Sequence, residues 1–227
     1  FLGKPVHVDD ANFLALARRA ASHPWTPHGG QINWQGHTER ALDVLSNPPG
    51  IAWWLAPVAH AEAWVQHLWM LPWLWLSTWG ALQLGKTITG RPTATAVLIL
   101  GSPVALLATQ ALTPDLPLLA CVLAGTAGLL GPARARWPWA LLLGCAALFR
   151  YSGVALIPIA MLWPWLHGDR RAAVRLGGLA ALPLGLLLVH HWSAYGQLHL
   201  VSMVGFQAVS GEGLQLLHKA ASSLGML

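Results

Sequence analysis

Apolar runs alternate with short polar joints over most of the chain. Six runs stand out: Ala63–Leu84, Pro92–Leu107, Leu116–Leu130, Trp137–Phe149, Tyr151–Leu166 and Leu176–Trp192. About 20 consecutive apolar residues are needed for a helix to cross the hydrocarbon core of a bilayer. The first run reaches that length. The others fall short, and Trp137–Phe149 crosses only with bilayer thinning or protein cover, or stays a buried or re-entrant helix. Pro72, Pro103, Pro158 and Pro183 predict kinks, which membrane helices tolerate. The pattern predicts an all-α fold, a polytopic transmembrane helix bundle of about six spans.

Residues 1–62 read differently. Asp9 to His23 is predicted as a short amphipathic helix. Phe13, Leu16, Ala17, Ala20 and Ala21 recur at helical spacing, with Arg18 and Arg19 off that stripe. Asp10 suits a cap or a first-turn acid, where the helix dipole favours negative charge. Too short and polar to span, this helix fits the plane of the interface. Pro24, Pro27 and Gly29-Gly30 end it. Thr26 to Ser46 reads as polar loop with one short helix over Glu39–Leu45. Asn47-Pro48-Pro49-Gly50 is a strong breaker, and the apolar Ile51–Val58 follows with Trp53-Trp54 at an interface.

Composition sharpens this picture. Only 9% of the residues are charged and 55% are hydrophobic, whereas a soluble domain carries about 25% charged residues. The 14 tryptophans suit membrane–water interfaces. A net charge of +5 does not indicate nucleic acid, because the basic residues lie in short clusters between apolar runs. Cys121 and Cys145 fall inside apolar runs and read as buried thiols. The chain opens on Phe1 without a signal-peptide pattern and stops at Met226-Leu227, so it reads as a piece of a longer protein. No inverted repeat of the secondary-transporter kind is visible.

The joints set an orientation. Lys86 and Arg91, then Arg134 and Arg136, then Arg170, Arg171 and Arg175 fall in one set, whose only acid is Asp169. Asp9, Asp10, Glu39, Asp43, Glu62, Asp115, Arg150 and Glu212 fall in the other. The sets alternate, as successive spans demand, and short Lys/Arg-rich loops stay cytoplasmic. Residues 1–62 and 193–227 are therefore expected outside the cytoplasm, flanking a bundle over 63–192. Asp9, Asp10, Asp115 and Arg150 then share one membrane face. A carboxylate there can take a proton from an attacking hydroxyl or amine. A guanidinium can hold a phosphate through its planar fork. Together they suit group transfer from a lipid-linked phosphate.

At this point the chain resembles the membrane glycosyltransferases of the GT-C superfamily. The branch it looks most like holds the protein O-mannosyltransferases and the aminoarabinose (lipid A) transferases. The likeness is a series of short motifs in order. Asp9-Asp10 leads an amphipathic helix, then come Trp25-Thr26-Pro27, Asn47-Pro48-Pro49-Gly50 and Trp53-Trp54. Thr113-Pro114-Asp115-Leu116-Pro117-Leu118, Phe149-Arg150-Tyr151-Ser152-Gly153 and Trp192-Ser193-Ala194-Tyr195-Gly196 follow. The resemblance implies an inverting transfer from a polyprenyl-phosphate sugar donor, with Asp9 as general base and Asp10 beside it. It implies Asp115 as a supporting acid, and Arg150, with Tyr151 and Asn47 nearby, as the donor-binding group. It also implies a span before Phe1 and further spans with a soluble domain after Leu227. One departure is that the lipid A branch often has acidic-Lys-Pro where this chain has Asn47-Pro48-Pro49. The acid that can hold a metal is absent there, which weakens both a metal site and a lipid A acceptor.

Plainer readings stand beside these. Asp9, Asp10 and Asp115 also suit helix N-termini, Arg150 also suits an interface where its stem snorkels, and Asn47-Pro48-Pro49 also suits a shape-setting turn. The eleven histidines show no metal-ligand spacing, so His7, His28, His37 and His190-His191 read as interface polar residues. No cofactor is assigned, a divalent metal being the single candidate. Trp69, Trp73, Trp75 and Trp79 read as lipid-facing or interfacial. Low Lys with high Ala, Leu, Arg and Trp suggests a bacterial inner-membrane protein. A transporter or flippase of a lipid-linked substrate, and a non-catalytic scaffold, are the competing classes. Membrane lipid and an acceptor glycan, lipid or protein are the expected partners.

Overall fold

The computed structural model describes residues 8–34, 36–132 and 135–203. The expectations for His7, Arg134, Glu212 and most of the 193–227 segment lie outside these residues. The protein is mostly helical. An N-terminal cap is built from α1 (Val8–Ser22), a two-stranded antiparallel ribbon β1 (Gln31–Trp34) and β2 (His37–Arg40), α2 (Ala41–Val44) and α3 (Gly50–Leu55). The remainder is α4 (Ala63–Trp69), α5 (Leu71–Leu84), α6 (Pro92–Leu100), α7 (Pro103–Gln110), α8 (Asp115–Leu129), α9 (Arg136–Phe149), α10 (Leu156–Leu166) and α11 (Arg170–Tyr195).

The ribbon corrects the expectation of an all-α cap. Gln31 pairs with Arg40 and Trp34 with His37. The turn between them uses Gly36 at φ 93°, in the left-handed region, where glycine avoids the Cβ penalty. The helix expected over Glu39–Leu45 is shortened to α2, because Glu39 and Arg40 belong to the ribbon. Asp43 in α2 pairs with Arg40 at 2.7 Å.

Helix α1 lies one residue from its predicted bounds. Its buried stripe is Phe13, Leu14, Leu16, Ala17 and Ala20, while Ala21 is exposed. The stripe packs on Ile51, Ala52 and Leu55 of α3. Arg18 and Arg19, off the stripe, reach over the flanking loops. Arg18 Nε donates to the Ala59 carbonyl at 3.3 Å and Arg19 Nε to the Thr26 carbonyl at 3.0 Å.

The long helices pack in the sequence α6, α5, α8, α9, α11, α10, each against the next. Small residues allow this. Ala120, Ala124, Ala140, Ala146, Ala160, Ala173 and Ala180 are all fully buried. A Cβ on Gly80 of α5 would come within 2.5 Å of the Ala124 backbone nitrogen of α8. A Cβ on Gly144 of α9 would run into the Ala180 carbonyl of α11. Small side chains at these contacts let the helix backbones approach closely. Large apolar side chains point outward instead, among them Leu98, Val104, Leu107, Leu186 and Val189.

The predicted runs become helices with altered ends. Among the described residues, α11, with 26 residues, is the one helix long and apolar enough by itself to cross a membrane. It begins at Arg170, five residues before the last basic residue of its expected joint, because Asp169 caps it by accepting from the Ala172 N–H at 2.9 Å. The run Pro92–Leu107, expected as one kinked span, is two helices bent by 68°. The break falls at Gly101-Ser102, where Pro103 lacks the N–H to continue the ladder and Ser102 caps α7 by accepting from the Ala105 N–H at 3.3 Å. The first run likewise breaks before Pro72, into α4 and α5. The run from Tyr151 opens with a 3₁₀ turn, Tyr151–Ala155, ahead of α10.

Candidate functional site

The N-terminus of α8, the C-terminus of α9, the 3₁₀ turn before α10 and the C-terminus of α11 come together beneath the cap. Long-range hydrogen bonds fasten them. The Asp10 carboxylate, fully buried, accepts from the Leu112 N–H at 2.8 Å. This contact sets α1 against the loop that leads into α8. The His28 N–H donates to the Tyr195 hydroxyl at 3.0 Å, and His190 Nε2 donates to the Trp25 carbonyl at 2.9 Å. Trp53 Nε1 donates to the Pro24 carbonyl at 2.8 Å.

At the centre, Arg150 Nη1 donates to Asp115 Oδ1. Thr113 Oγ1 donates to the other oxygen, Asp115 Oδ2, at 3.1 Å. Both carboxylate oxygens are thus engaged. Asp115 and Arg150 still keep 40% and 44% of their side-chain surface accessible, so the pair is open to a ligand. Arg150 directly follows α9, where the backbone turns extended (φ −144°, ψ 140°). Its position is buttressed by the breaker: a Cβ on Gly50 would meet the Leu148 carbonyl in the last turn of α9. Asn47-Pro48-Pro49-Gly50 therefore sets the shape of this corner and also brings Asn47 to it.

Two cavities flank the ion pair. A groove of ≈ 620 Å³ has Asp9 and Asp115 in its lining, together with Thr113, Ser102 and the apolar flanks of α7 and α8. A smaller, polar cavity of ≈ 280 Å³ is lined by Asn47, Arg150, Tyr151, Ser152 and Ser46. The sequence-predicted residues thus divide. Asp9 and Asp115 face the groove, Arg150, Tyr151 and Asn47 face the polar cavity, and Asp10 is buried behind them as a tie between elements.

Sequence reasoning missed the wall behind the polar cavity. Tyr151 Oη bonds His199 Nδ1 at 2.7 Å. His199 belongs to a cluster with His28, His190 and His191, ring centroids being 5.3 Å apart for His28–His199 and 5.4 Å for His191–His199. Neither ring nitrogen of His28 or His191 makes a well-formed hydrogen bond among the described residues. Burial, reinforced by the neighbouring imidazoles, lowers His28 from 6.5 to about 3, against an opposing pull from the Asn47 carbonyl. His199 is lowered too, chiefly by burial, with the Leu42 and Leu45 carbonyls and Asp43 opposing. Burial thus disfavours the charged form of both side chains. Among the described residues no group of three His, Cys, Asp or Glu is arranged to hold a metal ion. The adjacent pair His190-His191 was the one trace of this cluster along the chain.

The tryptophans form a second wall. Trp54 packs on Trp69 and Trp73, at 5.6 and 4.9 Å between ring centroids, and Trp73 on Phe149 at 5.1 Å. Trp73 thus packs under the Arg150 corner, while Trp75 is largely exposed.

No protein-family model matches this chain, no curated protein matches it, and no solved structure matches it.

Proposed function

We propose that the chain builds a membrane-embedded active site of a multi-pass glycosyltransferase of the GT-C kind, in a bacterial inner membrane. In this reading α4–α5, α6–α7, α8, α9, α10 and α11 make about six crossings, shorter helices being accommodated by thinning and by packing. The cap lies outside the cytoplasm. The observation that carries the reading is the exposed Asp115–Arg150 pair, with a carboxylate-lined groove on one side and a polar cavity on the other.

The division of labour follows from chemistry. The phosphate of a polyprenyl-phosphate sugar enters the polar cavity, where Arg150 supplies a guanidinium and Asn47, Tyr151 and Ser152 supply neutral polar groups. The acceptor hydroxyl enters from the carboxylate side. Asp9 takes its proton as the acceptor oxygen attacks the anomeric carbon. The bond from that carbon to the phosphate oxygen breaks, its electron pair stays on the phosphate, and Arg150 balances the charge. Attack opposite the leaving group inverts the anomeric centre. With both oxygens already bonded, Asp115 positions Arg150 and does not act as the base.

The broken α6–α7 pair favours a transporter or flippase instead, since such proteins use interrupted helices. One experiment separates the two. Labelled polyprenyl-phosphate sugars are supplied to membranes holding wild type or Asp9→Asn at matched expression. Consumption by wild type and loss in Asp9→Asn support the enzyme and its base. Folded protein that consumes no donor favours transport.

A further inference from the structure

The two cavities beside the ion pair differ in character, and the difference bears on the acceptor. The polar cavity offers a cation and neutral hydrogen-bonding groups. The groove offers two carboxylates at one end, and none of its lining residues is cationic. Apart from the hydroxyl-bearing Ser102 and Thr113, the rest of its wall is hydrocarbon. Asp115, Leu118, Leu119 and Val122 recur on one face of α8, three to four residues apart. From Asp115 to Val122 that face runs about 10 Å along the helix. Val104 and Leu107 of α7 line the opposite side and are also exposed at the outer surface. The bend at Gly101-Ser102 swings α6 away from α7 by 68°, and Ile99 and Ser102 beside it also line the groove. The groove's volume falls within the range of small-molecule sites, which run about 300–1,000 Å³.

Charge decides between occupants. An alkyl phosphate in this groove would place its headgroup beside the carboxylate of Asp9, and like charges repel, whereas Asp115 is already balanced by Arg150. A neutral chain ending in a hydroxyl meets the opposite situation, because a carboxylate accepts its hydrogen bond. We propose that the groove between α7 and α8 binds the hydrocarbon part of an uncharged lipid alcohol, with the hydroxyl at Asp9. Resting on the glycosyltransferase reading, this makes the acceptor a membrane lipid alcohol and not a soluble peptide or glycan.

The test is direct photolabelling, which needs no turnover. The protein in lipid nanodiscs is irradiated with a diazirine-bearing hexadecanol, and labelled peptides are mapped by mass spectrometry. Labelling is expected on the facing sides of α7 and α8. Excess hexadecanol competes with it and farnesyl phosphate does not. Leu118→Trp, which fills the groove, is expected to lose most of that labelling. Asp9→Lys leaves the walls intact and reverses one charge, so farnesyl phosphate becomes a competitor, and this variant serves where Leu118→Trp fails to fold. Competition by farnesyl phosphate against wild type overturns the proposal, because the groove then holds the donor's tail. Labelling spread evenly over outward helix faces, and competed by neither compound, also overturns it. The outcome is independent of donor consumption, so failure here and failure of the glycosyl-transfer reading are told apart.

Discussion

The carboxylate of Asp10 accepts a hydrogen bond from the backbone N–H of Leu112, 2.8 Å away and 102 positions along the chain. It ties the first helix to the loop that delivers Thr113 and Asp115. A buried N–H deprived of its acceptor costs about 1–3 kcal/mol. Asp10→Ala is therefore expected to lower stability by that amount, while Asp10→Asn, which keeps an acceptor oxygen, loses less. Thermal unfolding of the two variants in one detergent checks the order, and equal losses would remove the hydrogen bond as the cause.

Arg150 is expected to act on donor binding more than on folding. Part-exposed ion pairs contribute only about 0–1 kcal/mol to stability. Arg150→Lys keeps the charge but loses the planar fork. It is expected to raise the donor KM about tenfold, equivalent to about 1.4 kcal/mol, with little change in unfolding temperature. A donor KM equal to that of wild type would take Arg150 out of the phosphate site.

The histidine cluster makes stability depend on pH. His28 sits at about 3 in the folded protein against 6.5 for the free side chain, and His199 is lowered as well. Between these values the unfolded chain binds protons that the folded chain does not. Stability is therefore full above about pH 6.5 and falls as pH drops toward about 3. His28→Leu removes one such site and is expected to flatten the slope of unfolding temperature against pH. An unchanged slope would show that His28 titrates normally.

Two glycines give a paired test of the helix packing. Gly144→Ala would drive a Cβ into the Ala180 carbonyl and is expected to cost about 1–3 kcal/mol. Gly178→Ala, on α11, meets nothing within 4 Å and gains helix propensity of up to about 1 kcal/mol. Unfolding measurements should move in opposite directions for the two.

The helices were legible because burial of long apolar runs leaves few alternatives. Their breaks were only partly so: Pro72 and Pro103 signalled interruptions, but whether proline bends a helix or divides it depends on the local cap, here Ser102. The ribbon was hidden because residues 31–40 carry little apolar alternation. It rests on backbone pairing, with Gly36 in its turn. Asp9, Asp115 and Arg150 were placed together by the alternation of joints and are found around one ion pair. The same reasoning read Asp10 as a cap or first-turn acid beside the base, and its bond to the Leu112 N–H is a product of the fold. Beyond the adjacent pair His190-His191, the histidine cluster left no signal along the chain. Trp25 and His190, which frame it, lie 165 positions apart, and such proximity is a product of the fold alone.

The Asp115–Arg150 pair stands like a partition, its acid lining one cavity and its base the other. Two reactants that enter by separate doors do not have to wait for one another. For the proposed transfer this predicts random-order addition, with a ternary complex before any bond is broken. Initial rates plotted as reciprocals at several acceptor concentrations should therefore give intersecting lines, and not the parallel set of an enzyme that is itself glycosylated in passing.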